Sequence, residues 1–248
     1  MRTIGIDLAV ADLNTAAATI TWHEHRATLD HPHTGCTDTE LLRLLTNLTP
    51  GDQAGIDCPF GWPITFTRAV HAHAHLQPWP GRGLDHRSHY QAMRLRLTDQ
   101  RVHRVSGVRP LSVSFDKLGA VAARWAYLAD ALAAAGTPVD RSGVTGRVVE
   151  VYPAASRTMW GLGKNRDMAV LLDAAPWLEC SAQVRHAYEA SEHAFDALIA
   201  ALTARAAAVG LTALPEGEEA GFAREEGWIH LPEHGTLEAL KDPGPVKD

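Results

Sequence analysis

Hydrophobic and polar residues alternate from the start of the chain. Over 2–9, Ile4, Ile6 and Leu8 fall on one face, while Thr3, Gly5, Asp7 and Ala9 fall on the other. That period of two predicts a strand. Residues 11–14 read as a turn, and 15–22 and 25–30 as two further strands, giving an N-terminal meander. Thr37-Asp-Thr-Glu40 has capping-box spacing and opens a helix over about 39–48, carrying Leu41, Leu42, Leu44, Leu45 and Leu48. Gln53-Ala-Gly-Ile-Asp-Cys-Pro-Phe-Gly61 follows as a fourth strand ended by a Pro–Gly turn.

The pattern then weakens. Residues 62–110 are rich in Pro, Gly, His and Arg and hold no sustained period. They read as an insertion with one or two short helices, the first near 64–75. Amphipathic periodicity returns over 114–135 with Leu118, Val121, Ala122, Trp125, Leu128 and Leu132, and stops at Gly136-Thr-Pro138. Residues 147–153 predict a strand halted by Pro153. Helices are expected near 154–161, 166–174 and 181–208, the last alanine-rich and closed by Gly210. A Glu-, Gly- and Pro-rich tail occupies 215–248. Within it, 227–232 reads as an edge strand or a segment docked on the core. With no internal repeat and no clear linker, residues 1–248 are expected to form a single α/β domain.

Composition narrows the setting. No apolar run approaches the roughly 18–20 residues that span a bilayer, and Asp7 stands where a signal peptide needs apolar residues. A cytoplasmic protein without membrane contact is expected. Cys36, Cys58 and Cys180 are odd in number and far apart, which argues against a disulfide framework or a zinc site. The net charge of −6 excludes a surface coated in basic groups. Locally, however, seven arginines (82, 87, 94, 96, 101, 104, 109) face only Asp85 and Asp99 over 82–109. This stretch is either a landing site for phosphates or a solvated face paired with acids elsewhere. His71, His73 and His75 lie in an expected helix, where alternate residues point apart, so they read as surface residues.

Four acids stand in apolar elements: Asp7 between Ile6 and Leu8, Asp57 after Ala54-Gly-Ile56, Glu150 within Val148-Val-Glu-Val151, and Asp196 in a helix of Ala, Phe, Leu and Ile. A lone buried carboxylate costs several kcal/mol or stays protonated. A hard divalent cation held by carboxylate oxygens compensates all four at once. His193 and Asp196, three apart on a helix, share a face. Each acid also has a structural alternative. Asp7 and Asp57 can accept from the turns that follow them, Glu150 can pair with Arg147 or an arginine of 82–109, and Asp196 can face solvent.

Gly5-Ile-Asp7, Ile56-Asp57 and His193-x-x-Asp196 resemble the ribonuclease H-like superfamily, and the His-x-x-Asp helix is most like that of its resolvases. The fuller set is Gly55-Ile-Asp-Cys-Pro-Phe-Gly61, Arg96-Leu-Thr-Asp99, Val149-Glu-Val-Tyr-Pro153, 196–204 and Glu226-Gly-Trp-Ile229. Together these resemble the family named domain of unknown function 429, regarded as predicted nucleases of that fold. The resemblance runs from residue 3 to about 232. It implies a mixed five-stranded sheet (βββαβ…αβα order) flanked by helices, with the insertion after the fourth strand. It also implies a Mg²⁺ or Mn²⁺ site with Asp7, Asp57 and Asp196 as metal ligands and Glu150 nearby as ligand or base. His193 would orient or protonate groups at a scissile phosphate, and Arg96, Thr98 and Asp99 would place phosphate or substrate. Where the family carries Gly-Tyr-Lys, this chain has Gly161-Leu-Gly-Lys164, so Lys164 is a substrate-binding candidate without the tyrosine.

The expected function is therefore a two-metal nuclease acting on DNA or RNA. One rival is a nucleic-acid or nucleotide binder that kept the fold and lost turnover. Another is an actin-like phosphotransferase or ATPase, disfavoured because Asp7-Leu-Ala-Val-Ala-Asp-Leu lacks a glycine-rich phosphate turn. Protein partners stay open, a homodimer among them.

Overall fold

The alternating N-terminal segment becomes the middle of a sheet. In the computed structural model, which describes residues 1–116 and 118–242, β1 (Arg2–Asp7) pairs antiparallel with β2 (Ala16–Trp22). β3 (Ala27–Leu29) continues the meander antiparallel to β2, and β4 (His33–Thr34) also pairs with β2. β5 (Gln53–Asp57) returns parallel to β1, β6 (Val148–Glu150) runs parallel to β5, and β7 (Leu178–Glu179) extends β3. The result is a mixed seven-stranded sheet in the order β6-β5-β1-β2-β3-β7, with β4 beside β2. The five expected strands are all present. The two additions are each two residues long, too short to leave a period in the sequence.

Helices cover both faces of the sheet. α1 (Asp38–Thr46) opens with the expected capping box, Thr37 and Glu40 each bonding the other's backbone N–H. The insertion holds three helices rather than one or two: α2 (Ile64–Ala74), α3 (His86–Arg94) and α4 (Leu97–Ser106). The middle of the chain adds α5 (Leu118–Ala134), α6 (Pro153–Met159) and α7 (Met168–Ala174). The expected 181–208 helix is two, α8 (Ala182–Glu189) and α9 (Glu192–Ala208), because Ser191 caps a fresh start. The tail adds α10 (Glu219–Glu226), which its composition did not announce. Residues 243–248 of the expected tail, and Lys117 within the expected 114–135 helix, lie outside the described residues.

Side-chain alternation in β1 and β5 splits the core in two. Ile4, Ile6, Leu8, Ala54 and Ile56 meet Leu41, Leu45, Trp125, Leu128 and Leu132 of α1 and α5. On the opposite face α9 is buried almost all round, as a helix sandwiched between sheet and outer helices must be. Segment 227–232 docks beyond β6: Ile229 bridges Glu150 in parallel, and His230 N–H donates to the Glu150 carbonyl at 2.8 Å. Among the described residues no helix is long and apolar enough to cross a membrane.

Candidate acidic site

Asp7 closes β1 and Asp57 closes β5, and the parallel register sets them opposite each other, as it sets Gly5 opposite Gly55. Neighbouring strands lie ~4.8 Å apart. Two carboxylates therefore stand side by side at the carboxyl ends of parallel strands, where open α/β sheets bind ligands.

The glycines explain why a helix reaches them. A Cβ on Gly5 would stand 1.9 Å from the Ala197 carbonyl oxygen, and one on Gly55 2.6 Å from that of Ala200. Missing Cβ atoms on the strands and alanines on α9 let the helix lie directly on the sheet. Asp7 and Asp57 share the glycines' face by alternation, so the start of α9 meets them. Ser191 fixes that start by accepting from Ala194 N–H at 3.2 Å. His193 Nδ1 then stands 2.7 Å from Asp7 Oδ2, and Asp196 lies one turn further along.

The electrostatics show how tightly the acids are gathered. Burial pushes the Asp7 carboxyl up to about 6, against the pull of the His193 hydrogen bond and with a further push from Asp196. Asp57 is raised well above the usual carboxylate range, first by burial and then by the charges of Asp7, Asp196 and Glu150. Asp196 is met by arginine. Arg166 donates Nε and Nη2 to Oδ2 at 2.9 and 2.5 Å, and Arg157 Nη1 lies 3.9 Å from Oδ1.

Four further predicted site residues, Glu150, Arg96, Thr98 and Asp99, are engaged with one another or with backbone, although Glu150, Arg96 and Asp99 line one cavity with Asp7 and Asp57. Val149 and Val151 pack with Ala200 and Ala207 on the α9 side, so Glu150 between them faces the other way. Its Oε1 accepts from Arg96 Nη2 at 2.7 Å, and its Oε2 from Arg96 Nη1 and Phe60 N–H, each at 2.9 Å. This is the pairing with an arginine of 82–109 that the sequence left open. Arg96 spends its remaining donors on Asp99 and the Glu226 carbonyl, and Asp99 accepts the Arg96 backbone N–H. Thr98 Oγ1 accepts from Ile229 N–H at 2.8 Å. Arg96, Thr98 and Asp99 are about 98% buried and tie the insertion to β6 and the 227–232 segment, leaving no donor of Arg96 for a phosphate. Glu226 completes the tie by accepting from Ile64 and Leu97 N–H, each at 2.8 Å. Lys164 is exposed in the α6–α7 loop, two residues before Arg166.

The residues that sequence reading missed are Arg157, Arg166 and Tyr152. Arg157 is buried on α6, whose Ser156 accepts from Thr203 Oγ1 of α9 at 2.9 Å. Its only sequence signal was a charge within Pro153-Ala-Ala-Ser-Arg-Thr-Met159, and Arg166 gave none. Tyr152 lines a cavity of about 210 Å³ together with Asp7, Asp57, Glu150, Arg96 and Asp99, with Leu8, Pro59, Leu111, Leu118 and Val121 as its apolar wall.

Among the described residues no group of three or more His, Cys, Asp or Glu side chains stands in metal-holding geometry. Oxygens of Asp7 and Asp196 are turned to His193 and Arg166 instead. The donor set still suits a hard cation. Asp7, Asp57 and Asp196 offer carboxylate oxygens alone, and Asp196 Oδ1 is buried without a hydrogen-bond partner.

Fold and site together define an α/β protein centred on acids at the carboxyl edge of its sheet, closed by a helix-borne His-x-x-Asp. The chain belongs to the family described as "Protein of unknown function (DUF429)", whose model matches residues 5–220. No curated protein and no solved structure matches it.

Proposed function

We propose that this protein is a nuclease of ribonuclease H-like architecture, hydrolysing phosphodiester bonds in nucleic acid with Mg²⁺ or Mn²⁺ held by Asp7, Asp57 and Asp196. The observation that carries the reading is the in-register Asp7–Asp57 pair at the ends of parallel strands, met by Asp196 and His193 from α9. A bound divalent cation would supply a water activated for attack and charge stabilisation for the leaving oxygen.

The chain's own residues do the rest. Asp7 and Asp57 are fixed side by side by the sheet, and the burial and mutual repulsion that raise both carboxyls are a cost that a bound cation would offset. His193 is oriented through Nδ1 by Asp7, which leaves Nε2 to hold or pass a proton at the leaving oxygen. Glu150 and Arg96 are positioning residues that keep β6 and the insertion in place. The cavity beside the acids, with the apolar wall of Leu8, Pro59, Leu111, Leu118 and Val121, offers room for an unpaired base.

The test is cleavage of end-labelled single-stranded, duplex, hybrid and branched DNA and RNA with Mg²⁺ or Mn²⁺. Wild type should cut at least one substrate. Asp57→Asn, which keeps the shape and removes a ligand, should lose about 100-fold or more, the loss typical of removing a group that acts on the transition state. Equal performance of the two proteins would end the reading. Salt-dependent binding without cleavage by either would instead favour the binder lacking turnover.

A further inference from the structure

Two guanidinium groups stand beside Asp196, and their hydrogen bonding is unequal. Arg166 sits on the exposed loop between α6 and α7. It gives Asp196 Oδ2 two donors, and its Nη1 stands 3.2 Å from Glu192 Oε2. Arg157 is held on α6 with its side chain 6% exposed and lies over the Phe195 ring at 5.9 Å. Its Nε and Nη1 are buried and have no hydrogen-bond partner, and neither has Asp196 Oδ1 close by. Burial pulls the Arg157 pKa down, and the nearby Asp196 and Asp57 charges oppose that pull.

Buried guanidinium donors without acceptors are unusual, because the fork loses its water and gains nothing in return. The arrangement calls for an acceptor that arrives with the ligand. Arginine forks match tetrahedral oxyanions, offering paired N–H groups to two oxygens. Three site aspartates alone would repel a phosphodiester, and two arginines with a divalent cation reverse that balance.

We propose that Arg157 and Arg166 form the phosphate-binding half of this centre, with Arg166 serving as a tethered stand-in for the cation. Without metal, Arg166 occupies Asp196 and keeps it out of ligand geometry. When a divalent cation takes Asp196, Arg166 is released from it and turns with Arg157 to the phosphate of the substrate. The inference rests on the metal-dependent reading above and adds an order of events to it: cation and Arg166 compete for one carboxylate, while cation and phosphate bind cooperatively. Linkage makes that cooperativity reciprocal.

The experiment is calorimetric titration of the full chain with Mn²⁺ alone, then of the Mn²⁺-loaded chain with deoxythymidine 5′-monophosphate. Arg166→Gln should bind Mn²⁺ about 5-fold or more tightly than wild type, a coupling of ordinary size for competing sites. The same variant should bind the nucleotide roughly ten-fold more weakly, as losing one charged hydrogen-bonding partner implies. Arg185→Gln removes one arginine charge from α8, where Arg185 pairs with Glu189, and should match wild type in both titrations. Arg157→Lys keeps the charge without the fork. It should weaken nucleotide binding and leave Mn²⁺ affinity unchanged, with a thermal melt to confirm that it folds.

Unchanged or weaker Mn²⁺ binding by Arg166→Gln, or unchanged nucleotide binding, overturns the proposal even if Arg157→Lys fails to fold. Mn²⁺ binding and cleavage that survive with Arg166→Gln behaving like wild type remove this subsite alone. No Mn²⁺ uptake by any of the proteins removes the metal-dependent reading and this inference together.

Discussion

Asp7→Asn should make the metal-free protein more stable while removing the proposed metal-dependent cleavage. Burial and the Asp196 charge raise the Asp7 carboxyl from 3.8 to about 6, net of the His193 hydrogen bond. A folded-state pKa above the unfolded one means that the native state holds the proton more firmly. That contribution to stability is complete below about pH 4 and is lost as pH rises through about 6. At 1.36 kcal/mol per unit, ionised Asp7 costs the native state roughly 3 kcal/mol at pH 7.5. Asparagine escapes this cost, in which the His193 hydrogen bond is already counted. The gain is about 3 kcal/mol, or about 6–12 °C in Tm for a chain of this size. Urea unfolding in EDTA at pH 7.5, 6 and 4.5 measures it, and the gap should shrink as pH falls. With saturating Mn²⁺ wild type should recover the difference, because the cation binds only its folded state. An Asn variant no more stable than wild type at pH 7.5, or a gap that ignores pH, would refute the reasoning.

Other consequences follow from the packing. Gly5→Ala places a methyl 1.9 Å from the Ala197 carbonyl oxygen, so α9 must lift from β1. A loss of about 3 kcal/mol or more is expected in urea unfolding, at the upper end for overpacking. Gly35→Ala, whose added methyl meets nothing but whose φ is +73°, should cost less, about 1 kcal/mol. Glu150→Gln leaves Arg96 short of a buried counter-charge. It should destabilise by about 3–5 kcal/mol, and cleavage per folded molecule should fall less than in Asp57→Asn.

The main elements of the sheet were legible because β1 and α1 carry their instructions locally. Alternation wrote β1, and Thr37 with Glu40 wrote the start of α1. The convergence of Asp7, Asp57 and Asp196 was legible for a different reason: acids in apolar strands and helices need a shared explanation. What escaped was set by tertiary contact. β7 exists only because two residues fall beside β3. The break between α8 and α9 hides among alanines, and Ser191 alone marks it. Glu150 looked like Asp7 in the sequence, an acid among valines. Strand phase separates them, since one faces α9 and the other faces Arg96 from a distant insertion. Arg157 gave no periodic signal because its partners come from α9, some 40 residues away in the chain.

The most direct measurement of the central claim is anomalous diffraction from a crystal soaked in Mn²⁺. A peak touching the Asp7 and Asp57 carboxylates, with Asp196 turned toward it and Arg166 moved off Asp196, is expected. A saturating soak that leaves Arg166 on Asp196 and puts Mn²⁺ elsewhere, or nowhere, would contradict the acidic site as a metal centre.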